Sequence, residues 1–164
     1  MAATTRSVPL SLATSAGLDF NPHAIVGGQL EHDEEHKLFL LYPQGNWVEV
    51  GRGTPFFIIG NSGYGKPLLH RSLNYNSSLQ EALKAGYLSF DSTYVSANDV
   101  DYPIDVAIYL RDSFNIVEHR FERDDVYSVS RKWNELLKES MKKLPEDWMD
   151  AVFRKLPEPA GKPL

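Results

Sequence analysis

Apolar and polar positions are arranged differently in successive parts of the chain, and the arrangement predicts strands first and helices after. His23-Ala24-Ile25-Val26-Gly27-Gly28, residues 37–42 and Asn46-Trp47-Val48-Glu49-Val50 are short β-rich runs, and Tyr42-Pro43-Gln44-Gly45 between the last two is a hairpin turn. The pattern predicts a meander. Gly51-Arg52-Gly53-Thr54-Pro55 is a second turn, and it delivers the chain into Phe56-Phe57-Ile58-Ile59, whose lack of alternation predicts a strand buried on both faces.

Helical periodicity then takes over. Lys66-Pro67 reads as a helix start, because proline suits a first turn whose N–H groups have no partner. Ser78 is placed to cap a helix in which Leu79, Ala82, Leu83, Gly86, Tyr87, Phe90 and Tyr94 recur at helical spacing, with small residues that allow close packing on a sheet. Pro103 interrupts, and residues 104–111 and 115–121 predict two strands joined at Asp112-Ser113-Phe114-Asn115. A last long helix follows Asp124 and Asp125. Its apolar positions run from Val126 through Trp133 to Leu144, with acids at the start and Lys142 and Lys143 near the end, as the helix dipole favours. Past Pro145 come a short helical piece over 147–155 and a Pro-rich tail. This order suits an antiparallel α+β assembly with helices layered outside the strands.

The turn between the apolar run and the first helix holds the most suggestive motif. Gly60-Asn61-Ser62-Gly63-Tyr64-Gly65-Lys66-Pro67 has the glycines, lysine, preceding apolar run and following helix of a phosphate loop. Pro67, however, stands where that loop needs a Ser or Thr hydroxyl for magnesium. A nucleotide binder is therefore the lesser alternative, and a tight turn, with Gly63 and Gly65 in backbone conformations other residues avoid, is the simpler expectation. Gly-x-Ser-x-Gly is not met either, because Tyr64 occupies the second glycine position.

Composition narrows the classes. With 164 residues, 42% hydrophobic and 12% aromatic, the chain has material for one core. A net charge of −5 and no basic run with interleaved aromatics argue against a nucleic-acid partner. Without cysteine there is no disulfide scaffold, thiol nucleophile or thiolate metal site. Residues 1–15 lack a signal-peptide core and no stretch suits a membrane span, so the cytoplasm is the default expectation. Asn76-Ser77-Ser78 spells a glycosylation acceptor but reads as a solvated turn before a helix.

Two further constellations read as solvated charge. His32-Asp33-Glu34-Glu35-His36 spells the inverted zinc-peptidase motif, yet it lies between two strands without the helical stripe that would aim both histidines at one metal. Asp99, Asp101 and Asp105 lack the spacing and terminal glutamate of a calcium loop. Neither implies a metal, and no cofactor is expected. Arg120, Arg123, Arg131 and Lys132 read as an oligomer rim or a solvated face.

Several blocks occur in an order that resembles one family. Gly17-Leu18-Asp19-Phe20-Asn21, Ile25-Val26-Gly27-Gly28-Gln29, residues 38–46, residues 59–67, Ser89-Phe90-Asp91-Ser92-Thr93 and Pro103-Ile104-Asp105 together look like the C-terminal half of a bacterial proteasome-type β subunit of the Anbu group. The resemblance implies part of the αββα sandwich of the N-terminal-nucleophile hydrolases, with antiparallel strands, outer helices and the N-terminal strands missing. By it, residues 1–16 form a non-matching lead, 17–147 the C-terminal half of the domain, and 148–164 a terminal helical piece and tail.

The resemblance also implies a chemistry, in which an amino-terminal threonine attacks a peptide carbonyl and its own amine moves the proton. Nucleophile and supporting Asp and Lys would precede the first matching block, and Thr4 and Thr5 lack the intervening elements that would carry them to a site. The chain is expected to hold no catalytic residue and to be inactive alone. What carries over is support for the site: Gly60 with Ser62 or Asn61 beside the nucleophile's amine, and Asp91 with Ser92 or Ser96 as its serine partner. Asp91 reads equally well as a helix-borne acid satisfied by the Ser92 or Thr93 hydroxyl. Self-association in a ring or helical assembly, a complementing N-terminal chain, and peptide substrates once completed are the implied partners. A non-catalytic assembling subunit is the alternative. Without its first strands such a sandwich would expose sheet edges and a sheet face.

Overall fold

A computed structural model describes residues 21–157 of the protein. Thr4, Thr5, the Gly17-Leu18-Asp19-Phe20 block and the residues after 157 lie outside this range.

The predicted meander is present. β1 (Ala24–Gly28), β2 (Lys37–Leu41) and β3 (Trp47–Glu49) form an antiparallel sheet in that order, with Ile25 opposite Leu40, Val26 opposite Phe39 and Leu40 opposite Val48. Gly45 turns the second hairpin in a left-handed conformation (φ 85°), closed by Gly45 N donating to Tyr42 O at 2.9 Å and Tyr42 N to Asn46 O at 2.9 Å. Phe39 and Trp47 meet edge to face across the hairpin, their ring centroids 5.1 Å apart. A second sheet consists of β4 (Ile104–Tyr109) and β5 (Ile116–Phe121), an antiparallel pair in which Asp105 faces Arg120 and Val106 faces His119.

Residues 56–59 are a correction. They form no strand in this structure, and the nearest β-type contact is an isolated bridge between Gly51 and Thr54. Phe56, Phe57 and Ile58 are half-buried and Ile59 is exposed, so the run is extended chain beside other groups rather than a ladder member. An apolar run supplies the surface for burial but not the neighbouring strand that a ladder needs.

Two helices follow. α1 (Lys66–Ser72) begins at the Lys66-Pro67 start, with Pro67 in its first turn. α2 (Leu79–Tyr94) opens on a complete capping box: Ser78 Oγ accepts from Glu81 N at 3.2 Å and Glu81 Oε2 accepts from Ser78 N at 2.7 Å. Those bonds to Ser78, the backbone one first, hold the Glu81 carboxyl below its usual range. α1 packs against α2.

The chain divides into two compact units, one ending at Arg123 and the other starting at Asp124. The second unit holds most of α3 (Arg123–Lys142), a 3-10 turn (Asp147–Met149) and the short α4 (Asp150–Phe153). Asp124 and Asp125 stand in the first turn of α3 and Lys142 in its last, the order its dipole favours.

Burial is sparse. Among the described residues only Leu69, Ala85 and Val126 are buried hydrophobics. In the first sheet Ile25, Val26, Leu41, Trp47 and Val48 are exposed, and in β5 so are Ile116 and Val117, so the exposure expected of an open sandwich is present.

Candidate functional site

The turn and the end of α2 meet at one close contact. A Cβ placed on Gly65 would collide with Ser89 Oγ and lie 2.7 Å from Ser89 O, so the Gly65 backbone passes directly over the Ser89 turn of the helix. Gly65 has ordinary right-handed angles (φ −88°, ψ −30°), whereas Gly60 is left-handed (φ 80°) with nothing near its missing side chain. This corrects the expectation for Gly63 and Gly65: the left-handed glycine of the turn is Gly60, and Gly65 is required by close approach.

Of the site residues drawn from the sequence, Gly60 and Asn61 are exposed and Ser62 is half-buried. Ser62 O accepts from Lys66 N at 3.2 Å, which closes the turn. A phosphate cradle would aim that Lys66 N–H at the anion, and here it is already used.

Asp91 is only 4% exposed, on a helix segment where Ser89 and Thr93 are also buried. Ser92 Oγ donates to Leu88 O at 2.8 Å and Thr93 Oγ1 to Ser89 O at 2.9 Å. Each hydroxyl has a single proton, so both serve helix carbonyls four residues back, not the Asp91 carboxylate. Ser96 is exposed, and its backbone N donates to Thr93 O at 3.0 Å.

One turn back on the helix, Tyr87 OH and Tyr102 OH share a hydrogen bond at 3.3 Å. Burial, then that bond and the nearby Asp91 charge, push the Tyr87 phenol well above its usual range. Phe90, Tyr94 and Tyr102 form a ring cluster with centroids 5.2–6.2 Å apart, and the Arg123 guanidinium lies 5.5 Å from the Tyr94 centroid. No local motif marks this cluster, because Tyr102 lies in the loop beyond the helix. The apolar spacing of Phe90 and Tyr94 marked only their shared face.

The other charged constellations are structural. Asp33 Oδ2 accepts from Leu30 N at 2.8 Å in the turn between β1 and β2, so the His32–His36 segment is a turn and not a helix. Asp105 receives Arg120 Nε and Nη2 at 2.7 Å each across β4 and β5, and the guanidinium holds the Asp105 carboxyl low. Among the described residues no group of three or more His, Asp or Glu is placed to hold a metal ion, and no helix is long and apolar enough to cross a membrane.

Antiparallel strands in two sheets, with an α1–α2 pair packed through a glycine contact, define an α+β protein. No protein-family model and no curated protein matches the chain. Solved structures do. Anbu from Hyphomicrobium sp. strain MC1 is 42% identical with a TM-score of 0.75, over 83% of this chain and 58% of its own. Anbu, the ancestral β subunit, from Yersinia bercovieri is 38% identical at TM-score 0.75, over 82% of this chain and 58% of that one. A helical assembly of the Anbu complex from Pseudomonas aeruginosa is 36% identical at TM-score 0.75, over 82% and 56%. The chain is thus Anbu-like, a relative of the bacterial proteasome-type β subunits. It spans a little more than half the length of these relatives.

Proposed function

We propose that the chain supplies the C-terminal half of an Anbu-type subunit of a cytoplasmic, self-assembling threonine peptidase. In this reading the nucleophile comes from the part of the relatives' length that the chain does not span, and peptides are the substrates. One observation carries it: identity of 36–42% over 82–83% of the chain, matched to only 56–58% of each relative. The turn of Gly60, Asn61 and Ser62 and the buried Asp91, with Ser92 or Ser96, are then the supports of a site completed by that other part. Alone, the chain is inactive. Support for Asp91 in this role comes from its deep burial.

Intact mass and N-terminal sequencing of the endogenous protein test the proposal. A mass well above 18.5 kDa with an amino-terminal threonine, and labelling by a nucleophile-directed lactone, is the expected result. The same chain at 18.5 kDa, assembling without lactone labelling, would instead establish the second reading, a non-catalytic assembling subunit, which the helical assembly of a relative favours. A thermal shift with ATP that Lys66→Ala abolishes would overturn both in favour of nucleotide binding.

A further inference from the structure

One side chain ties the turn after β1 to the turn between β4 and β5. Gln29 Nε2 donates to Asp33 O at 3.2 Å and Asp112 Oδ1 at 2.7 Å, while its Oε1 accepts from Tyr109 OH at 3.0 Å and Asp112 N at 2.9 Å. Asp112 and Phe114 are both left-handed, with φ of 63° and 47°, conformations that side-chain-bearing residues keep only where the surroundings enforce them. This fixed corner holds Leu30, Leu110 and Phe114 in solvent at 75, 62 and 58% exposure. Exposed Glu31, Glu34 and Glu35 flank Leu30, so the apolar corner has an acidic rim.

The second unit carries the opposite surface. On the C-terminal half of α3 and just past it, Leu137, Met141 and Leu144 share one helical face and are exposed. Lys138, Lys142 and Lys143 are exposed beside them.

We infer that the acidic-rimmed corner of one copy docks on the lysine-rimmed end of α3 of the next copy. The apolar residues would supply affinity and the opposed charges orientation and association rate. Because the two surfaces differ, the contact is heterologous and repeats from copy to copy into a ring or an open helical array. The inference rests on the self-assembly proposed above and names the surfaces that perform it.

Sedimentation velocity of the full chain across a concentration series tests it. Glu34→Lys with Glu35→Lys, and separately Lys138→Glu with Lys142→Glu, should each weaken self-association about tenfold or more. Mixing the two variants should restore growth, because the two intact surfaces match and the two reversed ones, now lysine on the corner against glutamate on α3, are again opposite in charge. Leu79→Glu, exposed on α2 outside both surfaces, should leave assembly unchanged. Circular dichroism of each variant confirms folding. If the wild type stays monomeric throughout, self-assembly and this contact both fall. If it assembles but neither charge reversal disturbs it, the assembly reading stands and these surfaces are wrong.

Discussion

Gly65→Ala isolates the contact that sets the spacing of the 60–65 turn on α2. The native angles at Gly65 are open to alanine, so the substitution brings no backbone penalty of the left-handed kind. What it brings is a methyl group against Ser89 Oγ, 2.7 Å from Ser89 O and 3.1 Å from Ser89 C. Two of those atoms are helix backbone and cannot rotate away, so the turn must lift off α2. Overpacking of this kind costs about 1–3 kcal/mol, offset by about 0.4–1 kcal/mol from the stiffer unfolded chain. A net loss of about 1–2 kcal/mol is expected, or a fall of roughly 2–8 °C in Tm for a chain of this size.

Two neighbouring glycines make the measurement specific. Gly60→Ala meets no atom within 4 Å but forces alanine to φ 80°, which costs about 1–2 kcal/mol. Gly63→Ala meets neither obstacle and should stay within about 0.5 kcal/mol of wild type. Ser89→Ala in the Gly65→Ala background removes the hydroxyl but leaves the carbonyl in place, so it should recover only part of the loss. The assay is urea unfolding followed by far-ultraviolet circular dichroism, compared at constant m-value. Gly65→Ala as stable as Gly63→Ala, or full recovery by Ser89→Ala, would refute a backbone-to-backbone contact.

Gln29→Ala removes all four bonds of the corner clasp, but water can reach most of the freed groups. We expect a loss of about 1–2 kcal/mol and much faster amide exchange at Asp112, read by hydrogen exchange. Ser78→Ala should cost about 1 kcal/mol by removing the α2 cap, measured by urea unfolding. Because the folded Glu81 carboxyl titrates below its unfolded value of 4.5, its contribution is present above that pH and is lost as pH falls through the lower folded value. Glu81→Gln should flatten that acid limb, and an unchanged limb would rule out the box as its source. Arg120→Ala should let the depressed Asp105 carboxyl return upward, visible by NMR titration, with little change in stability because both partners are exposed.

Which features were legible before the structure follows from how local their causes are. Strands β1 to β3, the Lys66-Pro67 start and the Ser78 cap are encoded within a few residues of where they act, and each is where the pattern predicts. Residues 56–59 were not, because an apolar run looks the same whether its neighbour is a strand, a helix or nothing. Gly60 and Gly65 show the same limit. Both are glycine in one turn, yet one answers to its own φ and the other to Ser89, 24 residues later. The Gln29 clasp joins residues 80 and more positions apart and left no trace near Gln29. At the candidate site, Asp91 was identifiable by its block, but its burial and the backward-facing hydroxyls of Ser92 and Thr93 exist only once α2 is formed.

The sparse burial bears on function as well as on folding. With three fully buried hydrophobics among the described residues, burial within the chain leaves a small margin over the conformational entropy of ordering it. Exposed apolar groups on the first sheet, on β5 and on α3 are where further stabilisation is to be found, and anything that covers them binds only the folded form. Stability should therefore rise with the concentration of whatever completes or joins the chain, as mass action requires. A chain that assembles only with itself would show this in its own concentration; a half-subunit would show it when the remainder of the Anbu-type length is supplied.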